Sequence, residues 1–268
     1  MNKLINKVFI GTSGYKHADW LGNVYPFTLK PADYLTYYIT QLKLNFLEIT
    51  FTLHKIPYKK TSEQIAEHIK NVNSTFRVSI KLHKSLLRTQ KDTSILNEFL
   101  IGLEPFFKSE IPLVFLADYP IEFCASKENL QAIVSLKKSL EQHILFVSLP
   151  HRSWYKERYI EIFRNNKIGL VIQHIPEFNK NSSPYLAIST NGYAYFRLYS
   201  NPSFYLSSSN INILYNYPIK SLANIRKAVS KISIITNETY VAFCNIKNGL
   251  AAANATLFKK LMEEETHE

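Results

Sequence analysis

A set of polar residues stands where apolar runs end along this chain. Glu48 follows Phe46-Leu47, Lys81 follows Ile80, and Asp118 follows Phe115-Leu116-Ala117. Ser148 closes Leu145-Phe146-Val147, Gln173 closes Val171-Ile172, Arg197 follows Phe196, and Asn245 follows Phe243-Cys244. The chemistry open to such a set is specific. A carboxyl such as Glu48 can give or take a proton, and it is the acid–base group expected here. Lys81 and Arg197 can clamp a phosphate or carboxylate, the lysine as a point charge and the arginine as a planar fork. The same cations can instead neutralise Glu48 and Asp118. Thr12 and Ser13, in Gly11-Thr12-Ser13-Gly14, offer hydroxyls and exposed backbone in a tight turn. That phrase is not a nucleophile elbow, so its glycines are expected to serve the turn.

His83, His151 and His174 could bind a metal with Glu48 or Asp118, but no tight ligand spacing is present. No metal is therefore assigned, and no cofactor is identified. The expected ligand-binding set is Thr12, Ser13, Lys81, His151, Arg197 and Asn245, with Glu48 as the catalytic candidate. A phosphate-bearing or other anionic small molecule is the expected partner, and hydrolase or lyase chemistry the expected class.

These residues need a scaffold that gathers strand ends. Strand-like segments are predicted over 8–11, 46–49, 76–82, 112–117, 144–149, 168–173, 193–198 and 240–245. Helical patterns fall between most of them. Pro31 opens one with Leu35, Tyr38, Ile39 and Leu42 on a face. Thr61 and Gln64 read as a capping box ahead of Ile65, Ile69 and Val72. Others begin after Asp92, at Ser126, near Ile160, at Pro218 and before Leu250. The segments 174–191 and 199–217, rich in Ser, Asn, Pro and Tyr, read as long loops over the site. Alternation of this kind predicts a single-domain TIM (β/α)8-like barrel over 1–268, with its site at the strand C-termini.

Composition narrows the partners. The chain has 268 residues, 46% of them hydrophobic, so it can bury the core of a barrel. Its two cysteines, Cys124 and Cys244, cannot make a disulfide framework and carry no zinc spacing. No apolar run approaches the roughly 20 residues of a membrane span, and a cytoplasmic location without membrane association is expected. The net charge of +11 draws phosphates and nucleic acids. Its lysines are scattered, as at Lys59-Lys60, Lys137-Lys138 and Lys259-Lys260. Trp20, Tyr25, Trp154, Tyr199 and Tyr205 could stack on bases or sugars, or simply pack under loops. A nucleic-acid-binding or metal-dependent phosphodiester-cleaving barrel is accordingly the alternative function.

Longer phrases carry a resemblance. Ile10-Gly11-Thr12-Ser13-Gly14-Tyr15, Glu48-Ile49-Thr50-Phe51, Tyr195-Phe196-Arg197 and Phe243-Cys244-Asn245 with Gly249 and Asn254-Ala255 resemble the domain-of-unknown-function-72 (DUF72, YecE-like) family. The resemblance spans nearly the whole chain and implies a barrel without implying a reaction. Where that family tends to carry Glu-Phe-Arg-His-x-Ser-Trp, this chain has Ser148-Leu149-Pro150-His151-Arg152-Ser153-Trp154. The family's His-Gly after the arginine is Tyr199-Ser200 here, and one Asn is Cys244. Loss of these groups also fits a degenerate, non-catalytic binding protein.

Overall fold

The structure, a computed structural model, describes residues 7–87, 93–176, 181–200 and 214–264. Its strands are β1 (Val8–Ser13), β2 (Phe46–Ile49), β3 (Arg77–Lys81), β4 (Leu113–Asp118), β5 (Ile144–Ser148), β6 (Gly169–Leu170), β7 (Ile172–His174), β8 (Ala194–Leu198) and β9 (Thr239–Phe243). Every strand pair is parallel, in the order β6-β5-β4-β3-β2-β1-β9-β8-β7. The two ends of that order, β6 and β7, are consecutive pieces of one strand interrupted at Val171. β6 pairs with β5, β7 pairs with β8, and Val171 N–H still donates to Val147 O at 3.0 Å. The ring therefore closes with eight strand positions, as a TIM barrel.

The helices are α1 (Tyr34–Thr40), α2 (Lys59–Val72), α3 (Thr93–Lys108), α4 (Lys127–Ser139), α5 (Glu157–Asn165), α6 (Ile219–Ser233) and α7 (Leu250–Glu264). α4 starts where the sequence predicts, because the Ser126 hydroxyl accepts from Asn129 N–H and satisfies a free donor of the first turn. α2 corrects the sequence reading. It begins at Lys59, with Tyr58 at the N-cap and no side-chain cap, so Thr61 and Gln64 lie inside the helix and make no capping box. No helix joins β7 to β8 among the described residues, in line with the loop expected over 174–191. Most of the second expected loop, with Tyr205, lies outside the described residues.

The pleat sorts strand residues between two cores. Outward residues such as Leu47, Ile80, Val147, Phe196 and Val241 pack against the helices. Inward residues Phe9, Phe46, Leu116, Phe146, Tyr195 and Tyr240 fill the barrel below its mouth. Phe46 and Phe146 meet the Tyr195 ring edge-on at 5.6 and 5.2 Å, and Phe9 stacks on Tyr240 at 6.0 Å. This plug gives the mouth a dry, low-dielectric floor.

Close helix packing fixes the first strand. The Tyr38 hydroxyl of α1 accepts from Thr12 N–H at 2.9 Å and donates to Phe46 O at 2.8 Å. Gly11 makes this approach possible, since a Cβ there would fall 1.7 Å from Phe46 O. Gly14 then turns the chain away from the strand with φ of 80°, its N–H donating to Glu48 O. Trp20 and Trp154 are fully buried, and their indole N–H groups donate to Ile246 O and Phe123 O. These tryptophans are packing groups under the loops; they offer no stacking face. Among the described residues, no helix is long and apolar enough to cross a membrane.

Candidate functional site

Alternation along each strand puts one inward residue from each of the eight strand positions at the C-terminal rim: Ser13, Glu48, Lys81, Asp118, Ser148, Gln173, Arg197 and Cys244. Six of them make one network of ion pairs and hydrogen bonds. Glu48 lies deepest and is fully buried. Its Oε1 accepts from Ser13 Oγ at 2.7 Å and from Arg197 Nη2 at 3.0 Å, and its Oε2 accepts from the Tyr195 hydroxyl at 2.7 Å. Arg197 turns its other arm outward, Nη1 donating to Asp118 Oδ1 at 2.8 Å and to the Tyr199 hydroxyl at 2.6 Å. Lys81 Nζ lies 2.8 Å from Asp118 Oδ2 and 4.0 Å from Glu48 Oε1. Ser148 Oγ, 3.3 Å from Arg197 Nη1, completes the ring.

Exposure rises in one direction through this network. The side chains of Glu48 and Arg197 are 0% and 3% exposed, those of Lys81 and Asp118 11% and 18%. Of the four charged side chains, Lys81 and Asp118 therefore form the edge toward the solvent side of the mouth. Burial alone would raise the Asp118 carboxyl, but Arg197 and then Lys81 outweigh it and hold it well below the ordinary carboxylate range. Burial disfavours charge on Arg197 too, yet Asp118 and Glu48 keep its guanidinium protonated. Burial pushes the Tyr195 and Tyr199 hydroxyls up, so both act as neutral donors or acceptors. The quartet thus joins two cations and two carboxylates and carries no net charge.

Cys244 packs against the inner core beside this quartet, and burial pushes its thiol up to about 12. Protonated at neutral pH, it should be a poor nucleophile. Iodoacetamide at pH 7.5 should alkylate Cys244 about a thousandfold more slowly than an ordinary thiol of pKa about 8.5. The exposed Cys124 serves as the internal comparison. Peptide mass mapping over time reads both sites, and equal labelling would contradict a raised thiol at the half-buried Cys244.

The structure gathers Ser13, Glu48, Lys81 and Arg197 from the sequence-predicted set and separates the others. Thr12 points to the opposite face of β1, where its Oγ1 donates to Gly14 O and meets the Tyr38 hydroxyl. Asn245 lies beyond β9; its Nδ2 donates to Tyr215 O and Asn254 Oδ1, both at 2.8 Å, tying a mouth loop to α7. His151 Nδ1 accepts from Ser153 N–H and meets Ser153 Oγ at 2.9 Å, bracing the loop after β5. His174 Nδ1 meets the Tyr217 hydroxyl, and His83 Nδ1 accepts from Ser85 N–H. Among the described residues, no three His, Cys, Asp or Glu side chains come together as metal ligands. Tyr195 was missed by sequence reading, although it lies two residues before Arg197 and so on the same face.

A family model described as "Protein of unknown function DUF72" matches residues 9–268. A DUF72 family protein from Thermotoga maritima is similar at 29% identity, covering 96% of this chain and 99% of its own, with a TM-score of 0.86. One from Enterococcus faecalis is similar at 20% identity, covering 96% of this chain and 95% of its own, with a TM-score of 0.81. D-psicose 3-epimerase from Clostridium cellulolyticum, at 11% identity and a TM-score of 0.57, covers 96% of this chain and 98% of its own, and shares the fold alone. None of the curated proteins matches the chain.

Proposed function

The chain belongs to the DUF72 family, and from that premise we propose that its barrel mouth binds a small anionic ligand, phosphate-bearing or carboxylate, on Lys81 and Arg197. One observation carries this reading. The Asp118 carboxylate sits with one oxygen on Lys81 and the other on Arg197, each at 2.8 Å, at the exposed edge of an otherwise buried network. A two-point grip on a planar or tetrahedral anion takes this form. In this reading Asp118 is an internal counter-ion, and an incoming phosphate or carboxylate competes with it for the two cations.

Glu48 then has a different part from the acid–base role expected of it in sequence. Its oxygens are taken by Ser13, Arg197 and Tyr195, and its side chain has no exposed surface. It is a positioning residue that aims the guanidinium at the mouth. The aromatics suggested as nucleic-acid stacking faces, Trp20, Tyr25, Trp154 and Tyr199, are buried, so the nucleic-acid alternative draws no support from them.

Inorganic phosphate is the simplest probe. A ligand that binds only the folded state raises the midpoint of thermal unfolding. At ten times its Kd, phosphate should stabilise the wild type by about 1.4 kcal/mol, or roughly 3–6 °C for a chain of this size. Lys81→Met should abolish that increment while still folding, since Arg197 continues to hold both carboxylates. An undiminished increment in Lys81→Met would overturn the assignment.

A further inference from the structure

A groove on the outer rim of the barrel, between α1 and α2, differs from the mouth in its charge. We infer that it is a second binding site, for a small amphipathic anion: an aromatic or aliphatic body carrying a carboxylate or phosphate. Its volume is about 540 Å³, within the usual range of small-molecule sites, and none of Ser13, Glu48, Lys81, Asp118 or Arg197 lines it.

One wall is a face of α2. Thr61, Gln64, Ile65 and His68 all line the groove, at the i, i+3, i+4, i+7 spacing that aligns side chains on one side of a helix. The other walls come from the loops after β1 and β2, which bring Lys16, Phe51, Lys55 and Tyr58.

Two features of this lining point to the ligand. The first is apolar surface left to solvent: Tyr58 is 77% and Phe51 39% exposed, beside the buried Ile65. Large aromatic side chains gathered around a concavity favour an apolar ligand body. The second is the sign of the charge. Lys16 and Lys55 line the groove and no aspartate or glutamate does; the nearby Asp33, Glu63 and Glu67 are not lining residues. Among the described residues, neither lysine has a carboxylate within 4.0 Å, whereas Lys59 next to them is paired with Glu104. Positive charge unpaired beside an apolar wall suits a ligand with an apolar body and one anionic end. The mouth quartet, by contrast, balances its own charges.

The test is a fluorescence titration with 8-anilinonaphthalene-1-sulfonate, an aromatic anion that brightens in apolar surroundings. Saturable binding at one site is expected. It should weaken about tenfold in Lys16→Ala/Lys55→Ala, and likewise on adding salt to about 0.5 M, where exposed charges are screened. Thr61→Trp, which fills the groove from α2, should remove it, and Lys81→Met, which takes a cation from the mouth and none from the groove, should leave it unchanged. The inference is overturned by an absence of saturable binding, by unchanged affinity in the double lysine variant or in Thr61→Trp, or by weaker binding in Lys81→Met, which would put the probe in the mouth. Because the mouth reading is tested with phosphate and Lys81, either can fail alone.

Discussion

Arg197→Leu is expected to lower the stability of the folded chain by about 3–5 kcal/mol, the usual cost of leaving a buried charge without its partner. The arginine bridges both carboxylates of the mouth, Nη2 on Glu48 and Nη1 on Asp118. Without it, Asp118 keeps Lys81 at 2.8 Å, but Glu48 is left with the lysine at 4.0 Å and two neutral hydroxyls. Glu48 has no exposed surface, so water cannot replace the lost partner. Urea or thermal unfolding reads the effect, at roughly 2–4 °C of midpoint per kcal/mol for a chain of this size. Adding Glu48→Gln to Arg197→Leu should recover part of the loss, because the stranded charge is then gone. Arg197→Lys should rescue little, since an ammonium cannot span the two carboxylates as a fork does. A single variant within 1 kcal/mol of wild type, well below the range for a broken buried pair, would mean that the network is solvated and the mouth is not built as described.

Asp118→Asn should act in opposite directions on stability and on binding. The amide keeps the shape and removes the charge, leaving Lys81 and Arg197 with Glu48 alone. The quartet then carries one net positive charge, and the unliganded protein should be less stable. Affinity for inorganic phosphate should rise, because the anion no longer competes with an internal carboxylate. A unit charge at about 4–5 Å is worth at most about 3–4 kcal/mol at an effective dielectric of about 20. The partial exposure of Asp118 reduces that, so a gain of about tenfold in Kd is expected. A carboxylate that merely braced the rim would lower stability on removal and leave phosphate affinity where it was.

Much of this was legible in the sequence. The alternation of apolar runs with helical patterns reads as a barrel, and the polar ends of those runs mark its mouth. The absence of a helix between β7 and β8 among the described residues follows from the Ser-, Asn- and Pro-rich composition of 174–191. Which residue of each strand end turns inward was harder to read. Barrel strands are buried on both faces, so Tyr240-Val241-Ala242-Phe243 shows no apolar–polar period to separate the two sides. That is why Thr12 stands beside Ser13 as an equal candidate in the sequence, and why Asn245 reads as the polar end of its strand although Cys244 is the residue that turns inward. Asp118 was visible as a strand end, but its hold on both cations depends on β4 lying beside β3 and across the ring from β8. The role of Tyr195 was hidden for the same reason: a hydroxyl inside an apolar strand matters only once Glu48 is known to lie opposite. The start of α2 was misread because a capping-box pattern also occurs inside helices.

The central claim is that Asp118 and a ligand anion compete for Lys81 and Arg197. Calorimetric titration of inorganic phosphate into wild type and Asp118→Asn, side by side at low ionic strength, tests it most directly. Tighter binding to Asp118→Asn, lost again when Lys81→Met is added, is the predicted result. Equal or weaker binding to Asp118→Asn would contradict the claim and leave the quartet as a brace of the barrel rim.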